Sequence, residues 1–236
     1  MKKVLLAGVL CAATSLVVLA DNVDDLKAAA KKLADQPNYS WVTTTEVPGS
    51  QYTPGPRTGK ANKDGFFMIS TEMQNVTTEA VIKGDKGAVK TADGWKAASE
   101  LEAPGGANRG AMFQRMLLAT KAPGSEVADL ATKVKELKKE SEVLSGDLTE
   151  EGAIKLMTMG RRNRPDAPAP KDAKGNVKVW IKDGLIQKYV LSVQGKVTFG
   201  QDQQERTIER ITTTEIKDVG TTKLEIPDEA KKKVAE

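Results

Sequence analysis

From Asn176 onward, apolar and polar side chains alternate along the chain. Val177, Val179 and Ile181 are interleaved with Lys178, Trp180 and Lys182, and Lys182-Asp183-Gly184 supplies a turn. Leu185, Tyr189, Leu191 and Val193 then fall on one face, with Lys188, Ser192 and Gln194 on the other. After the polar stretch Gln201 to Glu205, the segment Arg206 to Lys217 is rich in β-branched residues, and the strands are expected to close with Leu224, Ile226 and Pro227. A period of two broken by Asp-Gly and Gly predicts an antiparallel meander with one buried face and one wet face. Such a sheet must bury its apolar face against another layer.

The same period recurs upstream. In Asn38 to Val47, Tyr39, Trp41 and Thr43 oppose Ser40, Val42 and Thr44. Pro48-Gly49 and Pro54-Gly55-Pro56 then open a wide loop, and Lys63-Asp64-Gly65 signals a hairpin. Strands are expected at Phe66 to Met73, Val76 to Ile82, Ala88 to Thr91 and around Trp95-Lys96. Between and before these strands the period changes to that of a helix. Val23, Leu26, Ala30 and Leu33 predict an amphipathic helix over 22–35, with Lys27, Lys31 and Lys32 on its wet side. Ala111 to Leu118 reads as an apolar helix stopped by Pro123-Gly124, and Glu126 to Lys138 as a second, amphipathic one through Val127, Leu130, Val134 and Leu137. A strand over Glu142 to Leu148 and a short helix from Thr149 to Met159 follow, then a long Arg/Pro/Ala-rich loop (Gly160 to Gly175). A last helical turn covers Asp228 to Val234. The order predicts an α+β fold in a single domain, residues 21–236.

The first twenty residues follow a different rule. Lys2 and Lys3 precede an apolar run from Val4 to Ala13, and Val18-Leu19-Ala20 ends on a small residue before Asp21. This is the pattern of a secretory signal cleaved after Ala20; an uncleaved anchor is the alternative. Cys11 follows Val9-Leu10, not the small residues that a lipid-attachment motif requires. The remainder, 21–236, contains no cysteine and no histidine. That composition excludes disulfides, thiolate and imidazole catalysis, and the usual zinc ligand sets. The formal charge falls from +4 to +2 as Lys2 and Lys3 leave, and both signs are interspersed, so no nucleic-acid footprint is present.

The leading helix (Val23 to Leu33), the Asp93-Gly94-Trp95 turn and the Val177–Gly184 hairpin into Leu185 resemble one family. So does the closing Thr212-Thr213-Thr214-Glu215-Ile216 followed by Leu224 to Ala230. The chain is similar there to the LolA/LolB lipoprotein carriers, to LppX and LprG, and to the N-terminal domain of RseB. The resemblance implies a curved antiparallel sheet, an unclosed half-barrel, with helices packed on or covering its concave face. It also implies carriage or sensing of lipid or acyl chains. The absence of a lipid-attachment motif departs from the lipoprotein members.

Methionine adapts to irregular apolar partners. Met112, Phe113, Met116 and Leu117, with Met157, Met68 and Trp180, are therefore the candidate ligand contacts, and ordinary core packing is the competing account. Met73 and Met159 carry the same two readings. The run Arg161-Arg162-Asn163-Arg164 is the candidate contact for a headgroup or partner, against a solvated loop. The adjacent acids Asp24-Asp25 and Glu150-Glu151 do not face one bond as hydrolysis requires, and are read as helix-start charges. No cofactor is implied, and no cation-binding loop pattern is present. The expected function is that of an exported, non-enzymatic envelope protein of the periplasm or exterior, binding a lipid, acyl chain or lipoprotein tail for transfer or sensing. An envelope protein or membrane surface would be its partner. The alternatives are a self-filled structural or interaction module and an unrecognised hydrolase.

Overall fold

The computed structural model describes residues 14–51, 53–73, 76–101, 109–158, 168–199 and 204–235. The chain forms α1 (Thr14–Ala34), β1 (Asn38–Glu46), β2 (Arg57–Asn62), β3 (Phe66–Met73), β4 (Val76–Lys83), β5 (Lys86–Thr91) and β6 (Gly94–Ala97). A 3-10 turn (Ala98–Glu100) leads to α2 (Arg109–Leu118), α3 (Pro123–Leu130), β7 (Lys138–Glu140), β8 (Val143–Asp147) and α4 (Glu150–Thr158). The C-terminal third contributes β9 (Lys171–Lys182), β10 (Leu185–Phe199), β11 (Gln204–Lys217) and α5 (Asp228–Ala235).

All eleven strands join one antiparallel sheet in the order β6-β5-β4-β3-β2-β1-β11-β10-β9-β8-β7. Two meanders thus meet where β1 pairs with β11. The edges β6 and β7 do not pair, so the sheet is an unclosed half-barrel and the fold is α+β. Because consecutive strands β6 and β7 lie at opposite edges, the chain must cross the sheet between them. It does so through α2 and α3, which is why helices cover one face.

That inner face carries the main core. Tyr39, Trp41, Phe67 and Ile69 from one meander and Val177, Val179, Tyr189 and Leu191 from the other are all buried in it. Leu26, Ala29, Ala30 and Leu33 of α1, spaced three and four apart, bury one helical stripe against it. Lys31 faces outward and pairs with Asp35 one turn on. Lys32 Nζ ties α1 to the β9–β10 turn by donating to the Asp183 carbonyl at 2.7 Å. A smaller cluster lies on the outer face: Val81, Ala88 and Trp95 under Ala230 and Val234 of α5, with Phe66, Met68 and Ile226 at its margin.

Several elements differ from the sequence pattern, among them β9, which begins at Lys171 inside the stretch read as a loop because its Lys171–Gly175 end pairs with β10. Helix α1 begins at Thr14 and runs through Ala20-Asp21. Strand β2 is the first arm of the hairpin signalled at Lys63-Asp64-Gly65, in a stretch with no strand pattern of its own. Helix α3 starts at Pro123, a position where the missing N–H costs nothing, and stops at Leu130 instead of continuing to Lys138. Beyond it Lys135 N–H donates to the Asp147 carbonyl at 2.8 Å and Lys138–Glu140 pairs as β7, so the backbone is satisfied by the sheet. Leu137 is fully buried from this extended segment, a result that helical spacing alone does not separate from a helix. Residues 218–227 form no strand.

Helices α1 and α3 touch at Gly124, where a Cβ would lie 3.0 Å from the Ala30 carbonyl oxygen and 3.1 Å from Ala34 Cβ. Valine there must push the two helices apart. Gly124→Val is expected to cost about 2 kcal/mol by overpacking, read as a lowered urea midpoint with an unchanged slope.

Candidate functional site

Cross-strand pairing fixes what the inner face presents. At one level across the sheet, Leu144, Val179 and Tyr189 succeed one another on β8, β9 and β10. The same level continues through Thr214 on β11 and Thr43 on β1 to Arg57 on β2 and Thr71 on β3. The face therefore turns from apolar to polar on crossing from β10 to β11. On β1 to β3, the levels on one side of this row are apolar and buried (Trp41, Ile69, Tyr39, Phe67). On the other side Thr45 and Thr212 are half-buried, and burial falls away toward Val76, 64% exposed. The row is the border between a greasy floor and an open edge.

The floor is built by close fits. Trp41 stands opposite Gly59, and its indole occupies the space a side chain at Gly59 would take. The ring also meets Tyr39 (centroids 5.7 Å apart) and Phe67 (6.2 Å).

Helix α3 lays a polar network over the row. The Tyr189 hydroxyl donates to a carboxylate oxygen of Glu126 at 2.5 Å. The Thr214 hydroxyl serves the Tyr189 phenol in turn and lies 3.0 Å from that of Thr43. Burial pushes the Glu126 carboxyl above the ordinary carboxylate range, against the opposing effects of Tyr189, Arg57 and Lys121. Burial and the adjacent Glu126 together hold the Tyr189 phenol well above its usual value. Tyr39, also buried, is pushed up to about 12, although the backbone N–H of Gly124 at the start of α3 partly offsets this.

Arg210 of β11 reaches the same region. Its guanidinium donates to the Leu156 carbonyl of α4 at 2.7 Å. Burial first, and then the like charge of Arg57, pull it below its ordinary value, with Glu126 opposing. This arrangement offers an apolar surface bordered by hydroxyls and two cations. Asp25 pairs with Lys139 and Glu151 with Lys155 on helix exteriors, away from any facing carboxylate. Among the described residues no group of three acidic side chains is placed to hold a metal ion.

The structure brings together only part of the residue set expected from the sequence. Leu117 is buried in the inner core, Phe113 is half-buried beside it on α2, and Met116 is 44% exposed. Met157 of α4 packs on the same core from the β10 side, against Gly195. Met68 is not with them: strand alternation puts it on the outer face with the α5 cluster. Trp180 is likewise on the outer face, in register with Lys188, whose ammonium lies 5.4 Å from the ring centroid. Arg161, Arg162 and Arg164 lie outside the described residues, as does Met159, and of Met112 only its place in α2 is described. The residues missed are Glu126, Arg57 and Arg210. For Arg210 a signal existed: period two places it on the face of Thr212 and Thr214, where an arginine among β-branched residues is unexpected.

No known family's sequence description matches the chain, and no curated protein does. Among solved structures it is similar to LprF from Mycobacterium bovis, at 12% identity over 89% of this chain and 98% of that one, with a TM-score of 0.45. It is similar to the lipoprotein LppX of Mycobacterium tuberculosis at 9% identity, over 88% of this chain and 99% of that one, with a TM-score of 0.45. A LolA superfamily protein from Nitrosomonas europaea matches at 9% identity over 88% of this chain and 95% of that one, with a TM-score of 0.36.

Proposed function

We propose that this chain binds a hydrophobic ligand, a lipid, acyl chain or lipoprotein tail, between the inner face of its sheet and the helices that cross it. One observation carries the reading. Below the polar row the inner face of an unclosed sheet is apolar on both meanders, yet its helical cover leaves Phe113, Leu118, Ile154 and Met157 only partly buried. Partly covered apolar side chains beside a continuous apolar floor suit a hydrocarbon tail, whose burial contributes about 0.8 kcal/mol per methylene. No catalytic group is needed, so transfer or sensing by sequestration is the mechanism. Export follows the residue pattern of 1–20, and among the described residues no helix is long and apolar enough to cross a membrane.

A neutral probe tests this directly. The methyl ester of cis-parinaric acid, added to delipidated full chain, is expected to gain fluorescence saturably. Phe113→Asp should weaken its binding by about tenfold or more, with the far-ultraviolet circular dichroism unchanged. Met68→Ala and Trp180→Ala, on the outer face, should leave binding as it was. A sheet closed tightly by its own helices would give no saturable signal, and the chain would then be a self-filled envelope module.

A further inference from the structure

Among the described residues, two cations on the inner face form no ion pair with an acid. Arg57 and Arg210 come from β2 and β11, the strands on either side of β1, and are each half-buried. They lie near enough for each to act on the other's charge, and both act on Glu126. Among the described residues the Arg57 side chain meets no hydrogen-bond or ion-pair partner, and that of Arg210 donates to one carbonyl, that of Leu156. A guanidinium carries five donors in a planar fork that matches a carboxylate or phosphate. Most of those donors are therefore unused, on a surface where burial makes an unpaired charge costly. Glu126 is a weak counter-ion for them, since its carboxyl is already engaged by Tyr189 and burial favours its neutral form. The surrounding hydroxyls of Thr43, Thr71 and Thr212 keep this border polar while the levels below it are apolar.

We infer that the ligand is amphiphilic with an anionic head, a carboxylate or a phosphate, received by Arg57 and Arg210 at the threonine-bordered edge while its tail lies on the apolar floor. The inference rests on the hydrophobic-ligand reading above. It adds that charge selects among hydrophobic ligands: a fatty acid or alkyl phosphate enters with its charge matched, whereas the corresponding ester or alcohol leaves both guanidiniums unpaired.

The test compares heads on one tail. The full chain should bind cis-parinaric acid about tenfold or more tighter than its methyl ester. Hexadecyl phosphate should displace the probe better than hexadecanol if phosphate is the head received, and preference for the acid alone assigns the carboxylate. Arg57→Gln should shrink the acid-to-ester ratio several-fold and Arg57→Lys should retain most of it. Lys60→Gln removes the same charge from the same strand on the outer face, and should leave the ratio alone. Equal binding of acid and ester, with phosphate no better than alcohol, overturns the anionic head and leaves the hydrophobic site standing. Failure of the ester and the acid alike removes both.

Discussion

Gly59→Val is expected to destabilise this protein by about 3 kcal/mol, the upper part of the range for overpacking a close-fitted core. The expectation runs against intrinsic preference, since valine suits a strand and glycine weakens one. What reverses the sign is Trp41. A Cβ at Gly59 would lie between 2.1 and 2.6 Å from three atoms of the indole ring, distances that side chains do not adopt. The ring cannot swing clear, because Tyr39 and Phe67 hold its flanks and Trp41 is only 4% exposed. Trp41→Ala alone should cost about 4 kcal/mol through the cavity it leaves. In the double variant valine moves into part of that cavity, so the two losses should fall short of their sum by about 2 kcal/mol. Urea unfolding of the four proteins measures the coupling; strictly additive losses would mean that the indole does not lie over Gly59.

That fit also explains which strands could be read from the residues. The alternation in β1 and β9 is legible because consecutive inner positions carry large apolar groups: Tyr39 and Trp41 in one, Val177 and Val179 in the other. Strand β2 was legible only as the first arm of the hairpin signalled at Lys63-Asp64-Gly65. Its inner positions are Arg57, Gly59 and Ala61, small or charged, and Trp41 of the neighbouring strand fills the space above Gly59. A hydrophobic pattern is a property of one strand, whereas a packed face is shared among strands. The face of β10 was legible from Tyr189 to Val193 but not at its start. Register shifts between Ile186 and Lys188, so the bulge turns Ile186 inward, fully buried, in place of Leu185. Period two carries no mark of such an inserted residue.

The candidate site was legible only in its apolar half. Leu117 and Met157 could be anticipated as apolar residues near a sheet, but alternation alone does not say which of two apolar faces is inner. Met68 belongs to the second cluster because α5, from the far end of the chain, covers the outer face there. The polar border depended on contacts between distant segments. Glu126 reads as an ordinary first-turn acid on α3, and only the docking of that helix over β10 turns it toward Tyr189, sixty-three residues away. Its neighbours in sequence carry no trace of that partner.

The Glu126–Tyr189 pair, its phenol buried and its carboxyl half-buried, should leave a distinct signature in stability against pH. Burial raises the folded-state carboxyl above the value of about 4.5 it has when exposed. The folded chain therefore holds this proton more tightly than the unfolded chain does. Stability owed to it is fully present below the unfolded value and is lost as pH rises through the raised folded one. Exposed carboxylates such as Asp172 and Glu205 are held low by hydrogen bonds to Lys196 and Lys171, so their contribution has the opposite sign and is lost at more acidic pH. The chain has no histidine, which removes the usual source of slope near neutrality. Glu126→Gln keeps an acceptor for Tyr189 but has no proton to lose. Its stability relative to the unsubstituted protein should rise as the pH passes upward from the exposed-carboxyl value through the raised folded one. Tyr189→Phe acts the other way: it withdraws the donor that favours the charged form, at a cost of about 2–3 kcal/mol once the carboxyl is ionised. That loss should be smaller on the acid side of the raised carboxyl value, where the proton is kept, and should nearly vanish in Glu126→Leu/Tyr189→Phe, where both partners become apolar. Urea midpoints across that pH range decide the matter. Parallel curves for the unsubstituted protein and Glu126→Gln would mean that the carboxyl is solvated and the α3 network is not buried as described.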